Sequence, residues 1–153
     1  MISTLLYLML DGTLEMTLTV LASIDKLKES ELTLLAVEDG VIVNPSTIKI
    51  NITILHGEII PLINESEVFV KYLDNLTNIH VTYRLNYGKI PGWFVNRVIV
   101  GNITYSVNEH PHLAPGEVAE LIIYLPTNAS RSEPVVVVIA SKGGASATYA
   151  LGW

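Results

Sequence analysis

The sequence predicts an all-β domain, an antiparallel β-sandwich, preceded by one N-terminal hydrophobic α-helix. Three observations carry that expectation. Residues 1–24 are almost all apolar or small. From about Leu32 onward, apolar residues recur in short runs with a period of two, the pattern of strands with one buried face. Turn-forming pairs separate the runs: Asn44-Pro45, Asp74-Asn75, Tyr87-Gly88, Pro91-Gly92, Pro115-Gly116 and Gly143-Gly144. The expected division is a helix over 1–31 and an extracellular β-domain over 32–153.

The first 24 residues, at about 1.5 Å each, would reach roughly 36 Å, enough to cross a hydrocarbon core of about 30 Å. Asp11 and Glu15 interrupt the apolar run. At a bilayer centre each would cost about 2.5–3.5 kcal/mol. They stand four residues apart, so they share one helix face, and Thr19 and Ser23 continue the stripe. A narrow polar seam of this kind suits packing against another helix better than lipid. The segment therefore reads as a membrane anchor or a filament-core helix, with an amphipathic helix of a soluble protein as the alternative. Lys26 and Lys28 alternate with Asp25, Glu29 and Glu31, so basic residues give only a weak indication of orientation.

A strand signal begins near Thr33–Val43. Ile48, Ile50, Ile52 and Ile54 alternate with Lys49, Asn51 and Thr53. Val68, Val70 and Tyr72 mark another strand; Ile79, Val81, Tyr83 and Leu85 a further one. Val95–Ile103 reads as a single strand, and Ala119, Leu121, Ile123 and Leu125 as the next. Val135–Ala140 is an unbroken apolar run, as in a central strand, and Ala145–Leu151 closes the domain. Trp93, after Pro91-Gly92, is expected to anchor the core. Trp153 is left open between a surface aromatic and a partner contact.

Composition narrows the function. Half the residues are hydrophobic, mean hydropathy is +0.44 and net charge is −6. The nine Lys and Arg are scattered, which disfavours nucleic-acid binding. The chain has no cysteine, which excludes a thiolate nucleophile, a cysteine-held iron–sulfur cluster and disulfides. The β-domain must then be stabilised by its core.

Five Asn-X-Ser/Thr sequences are the clearest chemical signal: Asn51, Asn64, Asn75, Asn102 and Asn128. Chance would give about 1.4 from this composition. As candidate N-glycosylation sites they point to an outside location. His110-Pro111-His112 places two imidazoles close together, but a zinc site needs further ligands. His56 and His80 lie in other segments, so the four histidines are expected to be solvated in loops, with no metal and no cofactor. The Gly143-Gly144-Ala145-Ser146 stretch is not a nucleophile elbow. Carboxylate pairs at Glu65/Glu67 and Glu117/Glu120 carry no catalytic signature. An enzyme is not expected.

Several pieces together resemble a family. These are the apolar opening Met1-Ile2-Ser3-Thr4, the strand Val68-Phe69-Val70-Lys71-Tyr72, and Trp93 followed by Val95-Asn96-Arg97-Val98-Ile99. The turn Leu113-Ala114-Pro115-Gly116-Glu117 and the closing Ala140-Ser141-Lys142-Gly143-Gly144-Ala145-Ser146-Ala147 complete the set. Over nearly its whole length the chain resembles the archaeal type IV pilin-like superfamily. It is most similar there to the archaellum accessory (stator) protein F, with protein G and the archaellins as relatives. The resemblance implies an immunoglobulin-like sandwich on the cell surface or in the pseudoperiplasm, held by a single-pass helix. It implies a motility role, tethering an archaellum-type motor to the surface layer. Surface-layer protein or accessory protein G would be the partner, in a homo- or hetero-oligomer. The alternative is a filament-forming archaellin or type IV pilin. No basic leader with a processing glycine precedes the helix, which fits the stator expectation better than the filament one.

Overall fold

The structure, a computed structural model, describes residues 34–63, 66–141 and 144–153. The expected helix over 1–31, with Asp11, Glu15, Thr19 and Ser23, lies outside the described residues, as does Asn64. Among the described residues no helix is long and apolar enough to cross a membrane.

The described chain is an all-β antiparallel domain of three sheets. Its strands are β1 (Leu34–Asn44), β2 (Thr47–His56), β3 (Ile60–Pro61), β4 (Ser66–Leu73), β5 (His80–Leu85) and β6 (Gly92–Val100). After them come β7 (Ile103–Tyr105), β8 (His112–Leu113), β9 (Val118–Tyr124), β10 (Val135–Ser141) and β11 (Ser146–Leu151). One sheet runs β1-β2-β9-β6-β7, a second β11-β10-β4-β5, and β3 pairs with β8.

The period of two decides which face of each strand is buried. In β2, Ile48, Ile50, Ile52 and Ile54 are buried, while Lys49 and Asn51 are half-buried on the opposite face. Ala119, Leu121 and Ile123 of β9 join them, and Val68, Val70 and Tyr72 of β4 with Val135, Val137 and Ile139 of β10 complete the same core. Burying each such aliphatic side chain contributes about 1.5–3 kcal/mol. Gly40 of β1 is needed where the two larger sheets come together. A Cβ there would stand 2.9 Å from Ile50 Cγ2 and 3.0 Å from Leu151 Cδ2. The β3–β8 pair carries Ile60, Leu62 and Leu113 into this core. Trp93 is 2% exposed, the core position expected of it.

Two features depart from the sequence reading. The run expected as one strand over Val95–Ile103 is a hairpin, with β6 and β7 joined by Gly101-Asn102. Gly101 has φ 60°, which suits the first position of a two-residue type II′ loop. Second, β6 carries a bulge between Val95 and Arg97 opposite β9. The extra residue shifts the inward phase from Trp93 and Val95 to Val98.

Candidate functional site

The polar chemistry of the described surface lies in side-chain clusters, at the sheet edges and in the Asn-X-Ser/Thr motifs. Among the described residues, no group of three or more His, Asp and Glu is placed to hold a metal ion.

The bulge in β6 aims two neighbours at one carboxylate. Glu120, on the outer face of β9 and 8% exposed, accepts from Asn96 Nδ2 at 2.6 Å and from Arg97 Nε at 3.0 Å. It borders a shallow depression of about 240 Å³ shared with Asp39, Lys49 and Asn51.

A second cluster organises the turn before β9. Glu117 N donates to Ala114 O at 3.1 Å, and Gly116 has φ 87°, as the third position of a type II turn after Pro115 requires. The Glu117 side chain folds back to accept from Ala114 N at 2.9 Å, and its Oε1 lies 2.8 Å from His110 Nε2. The His110 ring stacks on Tyr105 with centroids 5.5 Å apart. Burial alone would raise the Glu117 pKa, but the Ala114 amide and His110 outweigh it and hold the carboxyl below its ordinary value. A carboxyl depressed in the folded state stabilises above its unfolded pKa and loses that contribution as pH falls through the folded value. Urea midpoints should therefore drop as the solution is acidified below about pH 4.3. Glu117→Gln should flatten that dependence; an unchanged slope in the variant would refute the assignment.

The third cluster ties β4 to the loop before β10. The Tyr72 hydroxyl lies 2.7 Å from Thr127 Oγ1 and accepts from Thr127 N at 3.1 Å. Asp74, 4% exposed, accepts from Thr77 N at 2.8 Å and Thr77 Oγ1 at 2.7 Å through Oδ2. Thr127 and Thr77 together hold the Asp74 carboxyl below its usual pKa. Asp74 Oδ1 has no hydrogen-bond partner among the described residues. Burial raises the Tyr72 pKa. At the chain end, Trp153 Nε1 donates to Glu133 O at 3.0 Å, and the Arg131 guanidinium sits 5.0 Å from the Trp153 ring centroid.

Three of the four histidines are exposed, and only His110 is half-buried. His110 is clasped by Glu117, and His80 stands on β5, not in a loop, beside Glu133. His56 and His112 are exposed. Glu117 and Glu120 each have their own partners and act as two separate anchors.

The sheet edges differ sharply. β1 carries three register shifts and β7 is three residues long. β5 is lined by the His80–Glu133 and Arg84–Glu67 pairs. Bulges, shortness and charge all discourage edge-to-edge pairing. β11, Ser-Ala-Thr-Tyr-Ala-Leu, has no charge, no proline and a regular ladder with β10.

The motifs also separate. Asn51 lies mid-strand in β2, and its Nδ2 donates to Asp39 Oδ1 at 2.8 Å. Asn75 and Asn128 meet where Asn75 N donates to Asn128 O at 2.9 Å, and both border a depression of about 350 Å³. Asn102 stands apart at the β6–β7 turn. Sequence periodicity missed that hairpin, although Gly101-Asn102 is itself a hairpin signal.

Cysteine-free antiparallel sheets around an aliphatic core, with surface clusters that brace turns, make this an all-β antiparallel domain. Comparison with known proteins places that fold. No family model matches the chain, and no curated protein matches it by sequence. Solved structures do. The archaellum periplasmic stator protein FlaG from Sulfolobus acidocaldarius superposes with a TM-score of 0.58 at 20% identity, covering 78% of this chain and all of that one. A chain of the FlaF–FlaG periplasmic stator complex from the same organism gives 0.58 at 17% identity, covering 92% and 99%. The archaeal flagellin FlaB1 from Methanocaldococcus jannaschii gives 0.58 at 13% identity, covering 77% and 88%. The chain shares their fold.

Proposed function

We propose that this chain is a structural, non-enzymatic subunit of an archaeal surface appendage. Its β-domain, read as an immunoglobulin-like sandwich, stands outside the cell and links an archaellum-type motor to the envelope. The observation that carries this reading is the fold shared with stator proteins over 78% and 92% of the chain. Segment 1–31 serves as the membrane anchor, and the polar seam of Asp11, Glu15, Thr19 and Ser23 packs against another helix. The partner is a surface-layer protein or an accessory protein G, engaged through the uncharged outer face of β11, where Ser146, Thr148 and Ala150 are exposed. An extracellular filament subunit is the second reading, favoured by the likeness to FlaB1.

Shearing separates the two. The full-length chain should remain with the membrane when source cells are sheared, and should be captured with surface-layer protein after mild crosslinking. Abundant recovery in the sheared filaments would overturn the stator reading in favour of the filament one. Thr148→Lys, which places a charge on that face, should reduce the crosslinked product at least several-fold without altering the far-ultraviolet circular dichroism spectrum. An undiminished product would remove β11 from the interface.

A further inference from the structure

Four of the five Asn-X-Ser/Thr motifs fall among the described residues, and the fold presents them unequally. Asn51-Ile52-Thr53 lies inside β2, paired on one side with β1 and on the other with β9. Ile52 and Thr53 are buried, and the Thr53 hydroxyl donates to Glu117 O at 2.8 Å. In Asn75-Leu76-Thr77, the Thr77 hydroxyl and amide are both held by Asp74 Oδ2. In Asn128-Ala129-Ser130, Ala129 is 3% exposed. Its amide is bound to Pro45 O and that of Ser130 to Leu73 O, while the Ser130 hydroxyl lies 2.9 Å from Ser132 Oγ.

Asn102-Ile103-Thr104 is exposed at all three residues, Ile103 at 56%. Asn75-Leu76-Thr77 is exposed as well, Leu76 at 91%, but there the hydroxyl that a transferase must read is held by Asp74. Asn102 is the second residue of the tight turn, and Ile103 and Thr104 begin the three-residue edge strand β7, hydrogen-bonded on one side only. Neither the Asn102 amide nor the Thr104 hydroxyl is committed to a hydrogen bond with another described residue. We propose that Asn102 is the N-glycosylation site of the described domain, and that the fold withholds Asn51, Asn75 and Asn128 from modification.

The co-reactant is a lipid-phosphate-linked glycan. Asn102 Nδ2 forms a bond to C1 of the sugar, the bond from C1 to the phosphate oxygen breaks, and the lipid phosphate leaves with the electron pair. The displaced amide proton passes to a base on the transferase. Such an enzyme needs an accessible amide and must read the hydroxyl two residues on; the β6–β7 turn offers both without dismantling a central ladder. A glycan there would also cover the β7 edge, a further guard against unwanted strand pairing.

The inference rests on the outside location proposed above, and one experiment separates the two. The full chain is expressed in a host that exports it and glycosylates its own surface proteins at Asn-X-Ser/Thr. Intact cells are treated with protease, and glycopeptides are mapped by mass spectrometry. The expected result is a protease-accessible chain with a glycan on Asn102 and unmodified Asn51, Asn75 and Asn128. Asn102→Gln and Thr104→Ala should each remove one glycan mass, while Thr104→Ser should retain it. An accessible chain with bare Asn102, or with sugar on Asn51, Asn75 or Asn128, overturns the inference and leaves the location standing. A chain protected from protease defeats the location, and the inference falls with it.

Discussion

Replacing Trp93 with alanine will destabilise the β-domain by about 3–5 kcal/mol, the usual loss when a large aromatic is removed from a packed core. The indole is 2% exposed and meets the Tyr87 ring edge-on, with centroids 4.7 Å apart. Around it the chain folds back on itself. Trp93 N donates to Asn86 O at 3.1 Å, and Gly88 N donates to Trp93 O at 2.9 Å. Alanine would leave a cavity that a sheet paired on both sides of β6 cannot collapse to fill. Differential scanning calorimetry should show a fall in Tm of roughly 10–20 °C for a domain of this size. Trp93→Phe should recover much of it. The chain has two tryptophans, so emission from the alanine variant should report only Trp153, which is 40% exposed. A loss below about 1 kcal/mol would contradict the burial assigned to Trp93.

The neighbouring glycine supports the second large effect. A methyl group added at Gly92 would lie 2.3 Å from Asn86 O and 2.4 Å from Lys89 O. Both obstacles are backbone carbonyls, so no rotamer change relieves the overlap. The loop over residues 86–91 would have to leave β6, taking the Tyr87 packing with it. Gly92→Ala should therefore cost about 3 kcal/mol, the upper part of the range for overpacking. Equilibrium urea unfolding should show the midpoint shift. Gly116→Ala makes a useful contrast, because a Cβ there meets nothing within 4 Å, so any loss reports the strain of its φ of 87° alone.

These two residues illustrate what the sequence does and does not disclose. Period-two alternation located β2, β4, β5 and β9 because alternate side chains of each point into the core. The apolar run over Val135–Ala140 indicated an internal strand, and β10 lies between β11 and β4. The hairpin at Gly101-Asn102 was hidden because Val100 and Ile103 continue the apolar run across the turn. The β3–β8 pair is too short to show a period. The bulge at Asn96 and Arg97 shifts the phase of β6, a change that strict alternation reads as noise. Clusters such as Glu117 with His110 join positions seven apart through a turn, and spacing alone does not reveal that the turn closes. For the acceptor motifs, three letters record neither burial nor a hydroxyl already committed to Asp74.

The long pairing of β1 with β2 has a mechanical consequence. Nine residue pairs link the two strands, from Leu34 with His56 to Asn44 with Thr47. A pull on Leu34 directed along the axis of β1 would load those rungs together, in shear, instead of peeling them one after another. The same strand drawn sideways would open one rung at a time at far lower force. The direction in which tension enters at Leu34 therefore sets the rupture strength of the domain, independently of its equilibrium stability.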